Sequence, residues 1–76
     1  MAIKIRYFAS LKESLGRDSD RLELKQAMSV AEIWGRVSTQ HMPENTLAAV
    51  NMEYVDMAHL VVDGDELAFF PPVTGG

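Results

Sequence analysis

The stretch DGDELAFFPPVTGG, Asp63 to Gly76, sets down a turn, a strand and a strand stop in direct succession. Asp63-Gly64-Asp65 is turn chemistry. From Glu66 to Phe70 the side chains alternate, so Leu67 and Phe69 share one face and Ala68 and Phe70 the other. If Leu67 and Phe69 face a core, Phe70 faces out. Pro71 and Pro72 have a fixed φ and no backbone N–H, so they end the strand and hold the chain extended as it leaves. Gly75 and Gly76 lack a Cβ and pass where other residues would clash. From Pro71 to Gly76 the chain can span roughly 20 Å at about 3.3 Å per residue, far enough to reach a site inside another protein. The expected organisation is a domain over residues 1–70 and an extended tail over 71–76.

The opposite end of the chain has the same alternation. Ile3, Ile5 and Tyr7 fall on one side of an expected strand over Ala2 to Phe8, with Lys4, Arg6 and Phe8 on the other. Phe8 is therefore an aromatic on a polar face. Ser10 to Glu13 has the spacing of a capping box that opens a short helix through Leu15, with Gly16 placed to end it. Arg17 to Asp20 is a polar turn, and Leu22 and Leu24 alternate with Glu23 and Lys25 in a second strand. Ser29 to Glu32 is another capping box. Behind it Val30, Ile33, Trp34 and Val37 follow the spacing of one helical face, in a main core helix expected to end near His41 because of Pro43. Leu47 to Asn51 and Tyr54 to Asp56 are expected strands joined by a tight turn. The element order predicts an α+β roll with a helix packed on one face of a mixed sheet, although periodicity does not supply the strand order.

Three aromatics are left without a core position: Phe8, Phe70 and, on the short strand, Tyr54. Scattered exposed apolar residues are normal. Aromatics on adjacent strands beside an emerging tail are instead expected to form a docking patch.

The composition belongs to one small globular domain: 76 residues, 47% hydrophobic and 24% charged. Cysteine is absent, which excludes disulfides, thiol catalysis and thiolate metal sites, and fits a reducing compartment. The opening run is too short and too charged for a signal peptide, and no run is long enough to span a membrane, so the cytoplasm is the expected location. Every Lys and Arg lies at or before Arg36, leaving Glu44, Glu53, Asp56, Asp63, Asp65 and Glu66 without a base in the second half. That distribution disfavours nucleic acid; it suits either a partner with a basic surface or plain solubility. No phosphate, dinucleotide, metalloprotease or acyl-hydrolase motif is present. His41 and His59 are isolated, the acids near Asp63 lack the spacing of a calcium loop, and Met28, Met42, Met52 and Met57 are expected to fill the core.

The chemistry then rests on the α-carboxylate of Gly76. A carboxylate becomes an acyl donor only when its oxygen is made a leaving group, and adenylation by ATP does this. The chain has no ATP site, so the activating machinery must come from outside. The activated acyl group can pass to sulfur, as a thiocarboxylate, or to a lysine amine, as an isopeptide.

The LAAVN segment, the DGDELAFFPPVTGG ending and the FASLKESLG segment after the first strand resemble the small subunits of molybdopterin synthase, a family of ubiquitin-like sulfur carriers. The likeness runs over nearly the whole chain and is most specific from Leu47 onward. It implies a β-grasp fold with the last strand central, beside the first. It also implies a cycle: a partner enzyme, supplying ATP and Mg, adenylates Gly76, a sulfurtransferase converts it to a thiocarboxylate, and the tail enters the large synthase subunit to give sulfur to precursor Z, forming the dithiolene of molybdopterin. Two transfers per product and a tetramer of two small and two large subunits are implied. Phe8, Tyr54 and Phe70 fall at the family's exposed apolar contacts, and Pro71, Pro72, Val73, Thr74 and Gly75 make up the arm that carries Gly76. No cofactor is expected on the chain itself. Lys12 stands where relatives often have arginine, Leu60 replaces a frequent proline, and the 42–46 connection is short. Two other outcomes share the ending: a sulfur carrier for thiamine, tRNA thiolation or cysteine synthesis, and a protein modifier joined to lysines such as Lys4, Lys12 and Lys25.

Overall fold

The computed structural model describes residues 2–72. Its elements, in chain order, are β1 (Ala2–Tyr7), α1 (Ala9–Leu15), β2 (Ser19–Glu23), β3 (Met28–Ser29), α2 (Val30–Val37), β4 (Leu47–Val50), β5 (Glu53–Val55), β6 (Leu60–Val61) and β7 (Glu66–Phe70). Five of the strands form one mixed sheet in the order β2-β1-β7-β4-β5, and β3 pairs with β6 in a separate ribbon. β7 lies parallel to β1 and antiparallel to β4. The last strand is thus central, as the resemblance implied, and the sheet with its packed helices is an α+β, β-grasp arrangement.

One face of the sheet carries the core. Ile3, Ile5 and Tyr7 of β1, Leu67 and Phe69 of β7, and Ala48 and Val50 of β4 meet Val30, Ile33 and Trp34 of α2, with Leu11 and Val61 closing the ends. The period-two and period-3.6 patterns in the sequence therefore converge on the same volume. Trp34 stands edge-on to Phe69 at 5.1 Å between ring centroids and to Tyr7 at 6.4 Å. Its indole N–H donates to the Gln40 carbonyl at 2.8 Å, so the buried ring leaves no polar atom unpaired.

A polar cluster fastens the rim of this core. The Tyr7 hydroxyl donates to Asp20 Oδ2 at 2.8 Å, and Arg17 Nε donates to the same oxygen at 2.6 Å. Arg17 also reaches the Val37 carbonyl at the end of α2, with its guanidinium carbon 5.6 Å from the Tyr7 ring centroid. Burial, and then Asp20, push the Tyr7 phenol well above its ordinary range.

Several local expectations shift. β1 ends at Tyr7, and α1 begins at Ala9 with Phe8 as N-cap and no side-chain cap bond, so the Ser10 capping box does not form. Ala9 turns the chain with φ +50°, which places Ser10 inside the first turn instead of before it. Gly16 does end the helix, in left-handed geometry (φ +74°), its N–H bonded to the Lys12 carbonyl. β2 starts at Ser19 and stops at Glu23, earlier than the Leu22–Lys25 alternation predicted, because its antiparallel register against β1 runs from Arg6↔Ser19 to Ala2↔Glu23. α2 ends at Val37, before His41: Ser38 is already extended (φ −142°, ψ 143°). Asn51 lies in the turn after β4, and Asp56 lies beyond β5, where its carboxylate accepts from the Ala58 N–H at 3.0 Å. β3 and β6, two residues each, are too short for periodicity to register. Met28, Met42 and Met57 pack against the core as expected, but Met52 is 93% exposed.

Candidate functional site: the open sheet face

The face of the sheet away from the core is built by the same alternation. In the parallel pair, Tyr7 stands opposite Phe69. Because neighbouring residues on a strand point to opposite faces, Phe8 and Phe70 must then meet on the open side. They do: their rings stack at 4.7 Å between centroids, 10° from parallel. Tyr54 of β5 approaches Phe70 at 6.1 Å in an edge arrangement and is 72% exposed. Phe8 and Phe70 are half-buried. Tyr54 reaches Phe70 across β4, which contributes Ala49 at the intervening position, paired with Tyr54 on one side and Ala68 on the other.

The three aromatics singled out in the sequence therefore form one row across the sheet. Phe70 is the last residue of β7, and Pro71 and Pro72 follow it outside any strand, half-buried. Val73, Thr74, Gly75 and Gly76 lie outside the described residues.

Two neighbours of the row were not singled out. Arg6 holds its guanidinium carbon 5.5 Å from the Phe8 ring centroid, and Met52 lines the same depression as Phe8, Tyr54 and Phe70. Arg6 could have been found, since it shares a strand face with Phe8. For Met52 the sequence carries no such signal. The charge around the row also differs from the sequence expectation. Although Lys and Arg are absent from the second half of the chain, β1 lies beside β7, and a second depression beside Phe8 is lined by three cations, Lys4, Arg6 and Lys12, against one acid, Asp18. The patch thus has a cationic flank on the β1 side and Glu66 on its own margin.

Asn51 supports the row from below. Its backbone N–H donates to the Glu66 carbonyl at 2.8 Å, its side-chain oxygen accepts from the Glu66 N–H at 3.0 Å, and its amide donates to Asp65 Oδ1 at 2.9 Å. The β4–β5 turn is thereby tied to the start of β7. Asp65 also accepts from the Val62 N–H at 2.9 Å, so this acid does turn work. No group of three or more potential metal ligands occurs among the described residues. His41 and His59 are both exposed and take no part in the row. No helix of the described residues is long and apolar enough to cross a membrane.

A small mixed sheet with a central C-terminal strand, one main helix on its inner face and an aromatic row at the root of its last segment defines a ubiquitin-like β-grasp domain. The chain belongs to the ThiS family, whose model matches residues 5–76. It is 37% identical over 83 aligned positions to the molybdopterin synthase sulfur carrier subunit of Escherichia coli (strain K12), covering 97% of this chain and 99% of the relative. The human molybdopterin synthase sulfur carrier subunit is 28% identical, with 97% and 93% covered. In fold, the chain is similar to the crystal structure of small archaeal modifier protein 1 of H. volcanii, with a TM-score of 0.78 at 21% identity over 95% of this chain and 98% of the other.

Proposed function

We propose that this protein is the sulfur carrier subunit of a molybdopterin synthase, acting in the cytoplasm. The domain over residues 1–70 presents the tail over 71–76. Gly76 is adenylated by a partner enzyme that brings ATP and Mg, then converted by a sulfurtransferase to a thiocarboxylate. The Phe8–Phe70–Tyr54 row docks on the large synthase subunit, while Pro71 to Gly75 carry Gly76 into that subunit's site. There the sulfur passes to precursor Z, and two such transfers build one dithiolene, in a tetramer of two small and two large subunits.

The observation that carries this proposal is the position of the aromatic row: its central member, Phe70, is the last residue of β7, immediately before the segment that leads to Gly76. An apolar anchor at the root of a thin arm fixes where the arm enters a partner. Burying an aromatic removes on the order of 150–250 Å² from water, a gross gain of about 4–6 kcal/mol at roughly 25 cal/mol per Å², of which only part survives the costs of association. The test is intact-mass analysis after incubation with the adenylating enzyme, ATP and a sulfur source. The expected product carries one sulfur in place of one oxygen at Gly76. A chain whose mass never changes is not a sulfur carrier.

A further inference from the structure

Met52 sits where a methionine is hard to account for in the free protein. It and Asn51 are the two residues between β4 and β5, and both are left-handed, with φ +50° at Asn51 and +73° at Met52. A two-residue connection of this kind needs positive φ at both positions, which is why glycine, asparagine and aspartate dominate it. Asn51 fits the rule and bonds Asp65 and Glu66 through its side chain. Met52 does not fit it: the crowding of Cβ against the backbone is unfavourable, and at 93% exposure no burial offsets the cost.

The location of Met52 suggests what it contributes instead. With Tyr54, Phe8, Phe70 and Arg6 it lines an open depression of about 380 Å³, in which Ala49 and Ala68 are the small residues. Arg6 lies against the Phe8 ring and forms no ion pair with a carboxylate among the described residues. A guanidinium held beside a ring still offers N–H groups to which a carboxylate binds bidentately. Glu66, two residues before Ala68 on β7 and paired with Lys4, borders the depression toward the start of β7 and repels a second carboxylate there.

We propose that Met52 and Arg6 are specificity-determining residues that turn the aromatic row into a socket. The occupant is an aliphatic side chain of the large synthase subunit, seated over Ala49 and Ala68 between Met52 and Phe70, with a carboxylate of the same subunit on Arg6. Met52 supplies an adaptable apolar side to the socket, and Arg6 fixes where the partner's carboxylate lies. This rests on the docking role proposed above for Phe8, Tyr54 and Phe70.

Calorimetric titration of the full chain with the purified large subunit, together with thermal unfolding, separates the possibilities. Met52→Gly removes the strain and the wall together: the unfolding midpoint is expected to rise by about 2–5 °C, while affinity falls about tenfold, as for loss of an interface anchor. Met52→Leu is expected to recover affinity to within about threefold, because it restores an apolar wall of similar volume. Arg6→Gln is expected to weaken binding and flatten its dependence on salt. A Met52→Gly protein with a raised midpoint and unchanged affinity, alongside a weakened Phe70→Ala control, would make Met52 a tolerated turn residue and overturn the socket while leaving the docking face in place. A midpoint that falls overturns the strain premise. If Arg6→Gln leaves the salt dependence unchanged, the carboxylate is not there. If Phe70→Ala also binds as tightly as the parent, the docking proposal fails and the socket with it.

Discussion

Tyr7 and Phe8 are adjacent in the chain and serve opposite faces, as do Phe69 and Phe70. This pairing of a buried with an outward aromatic was legible from alternation alone, because a strand has a period of two whatever its neighbours. What Tyr7 bonds to was not legible, since Asp20 and Arg17 reach it only through the β1–β2 register and the fold of the α1–β2 connection. Met52 was misjudged for a related reason: a methionine is core filler by default, and only the backbone turn shows that this one is not. The Tyr7 network predicts a pH effect. Its phenol is shifted upward in the folded state, by burial first and Asp20 second, so the folded protein retains the proton where the unfolded chain, with an ordinary value near 10, has lost it. The contribution is fully present below about pH 10 and declines as pH rises above it, with a limiting slope of about 1.4 kcal/mol per pH unit. Denaturant unfolding at a series of alkaline pH values should show this fall in the parent and a weaker one in Tyr7→Phe. At neutral pH the same variant is expected to lose about 1 kcal/mol, the worth of the hydrogen bond to Asp20.

The two capping boxes show how far sequence rules carry at the level of an element. Ser29 and Glu32 form theirs in full: the Glu32 N–H donates to Ser29 Oγ at 3.2 Å, and the Ser29 N–H to Glu32 Oε1 at 3.4 Å. Ser10 and Glu13 have the same spacing and form none, because β1 runs directly into α1 through Phe8 and the left-handed Ala9. A capping motif works only when its serine falls on the extended residue just before the first turn: in α2 that residue is Ser29, in α1 it is Phe8, and where the helix starts is a tertiary condition. Ser29→Ala is therefore expected to cost about 1 kcal/mol and Ser10→Ala close to nothing, measured side by side in urea. Equal losses would mean that α1 has a serine cap after all. The long elements with several periodic positions, β1, α2 and β7, were found within a few residues of their ends. β3 and β6 were not, since a two-residue strand exists only by virtue of its partner.

The whole molecule depends on one pairing that no local pattern encodes, the parallel contact of its first and last strands. Alternation could say that Phe8 and Phe70 both face out, but not that they stack; the family resemblance placed the strands together. That pairing also brings the basic β1 side against a chain half containing only acids, so the partner facing this surface meets a cationic flank beside Phe8 that chain position alone conceals. If the proposed division of labour holds, docking and chemistry reside in different parts and can be lost separately. On that proposal, adding one residue after Gly76 turns the Gly76 carboxyl into a peptide bond and moves the terminal carboxylate off the Gly-Gly end, but leaves the aromatic row untouched. It is expected to abolish the mass change on activation while the extended chain keeps its affinity for the large subunit. Phe70→Ala does the reverse. Its ring is half-buried on the open face, outside the core cluster of Phe69 and Leu67, so folding should survive, while affinity falls by at least about 1 kcal/mol, as for a central aromatic anchor. Activated chemically to the thiocarboxylate, the Phe70→Ala chain should still donate sulfur when the large subunit is raised to saturation. Restored turnover at saturation assigns Phe70 to docking alone; turnover that stays low at saturation would mean that the ring also aims the tail, and that anchor and arm work as one part.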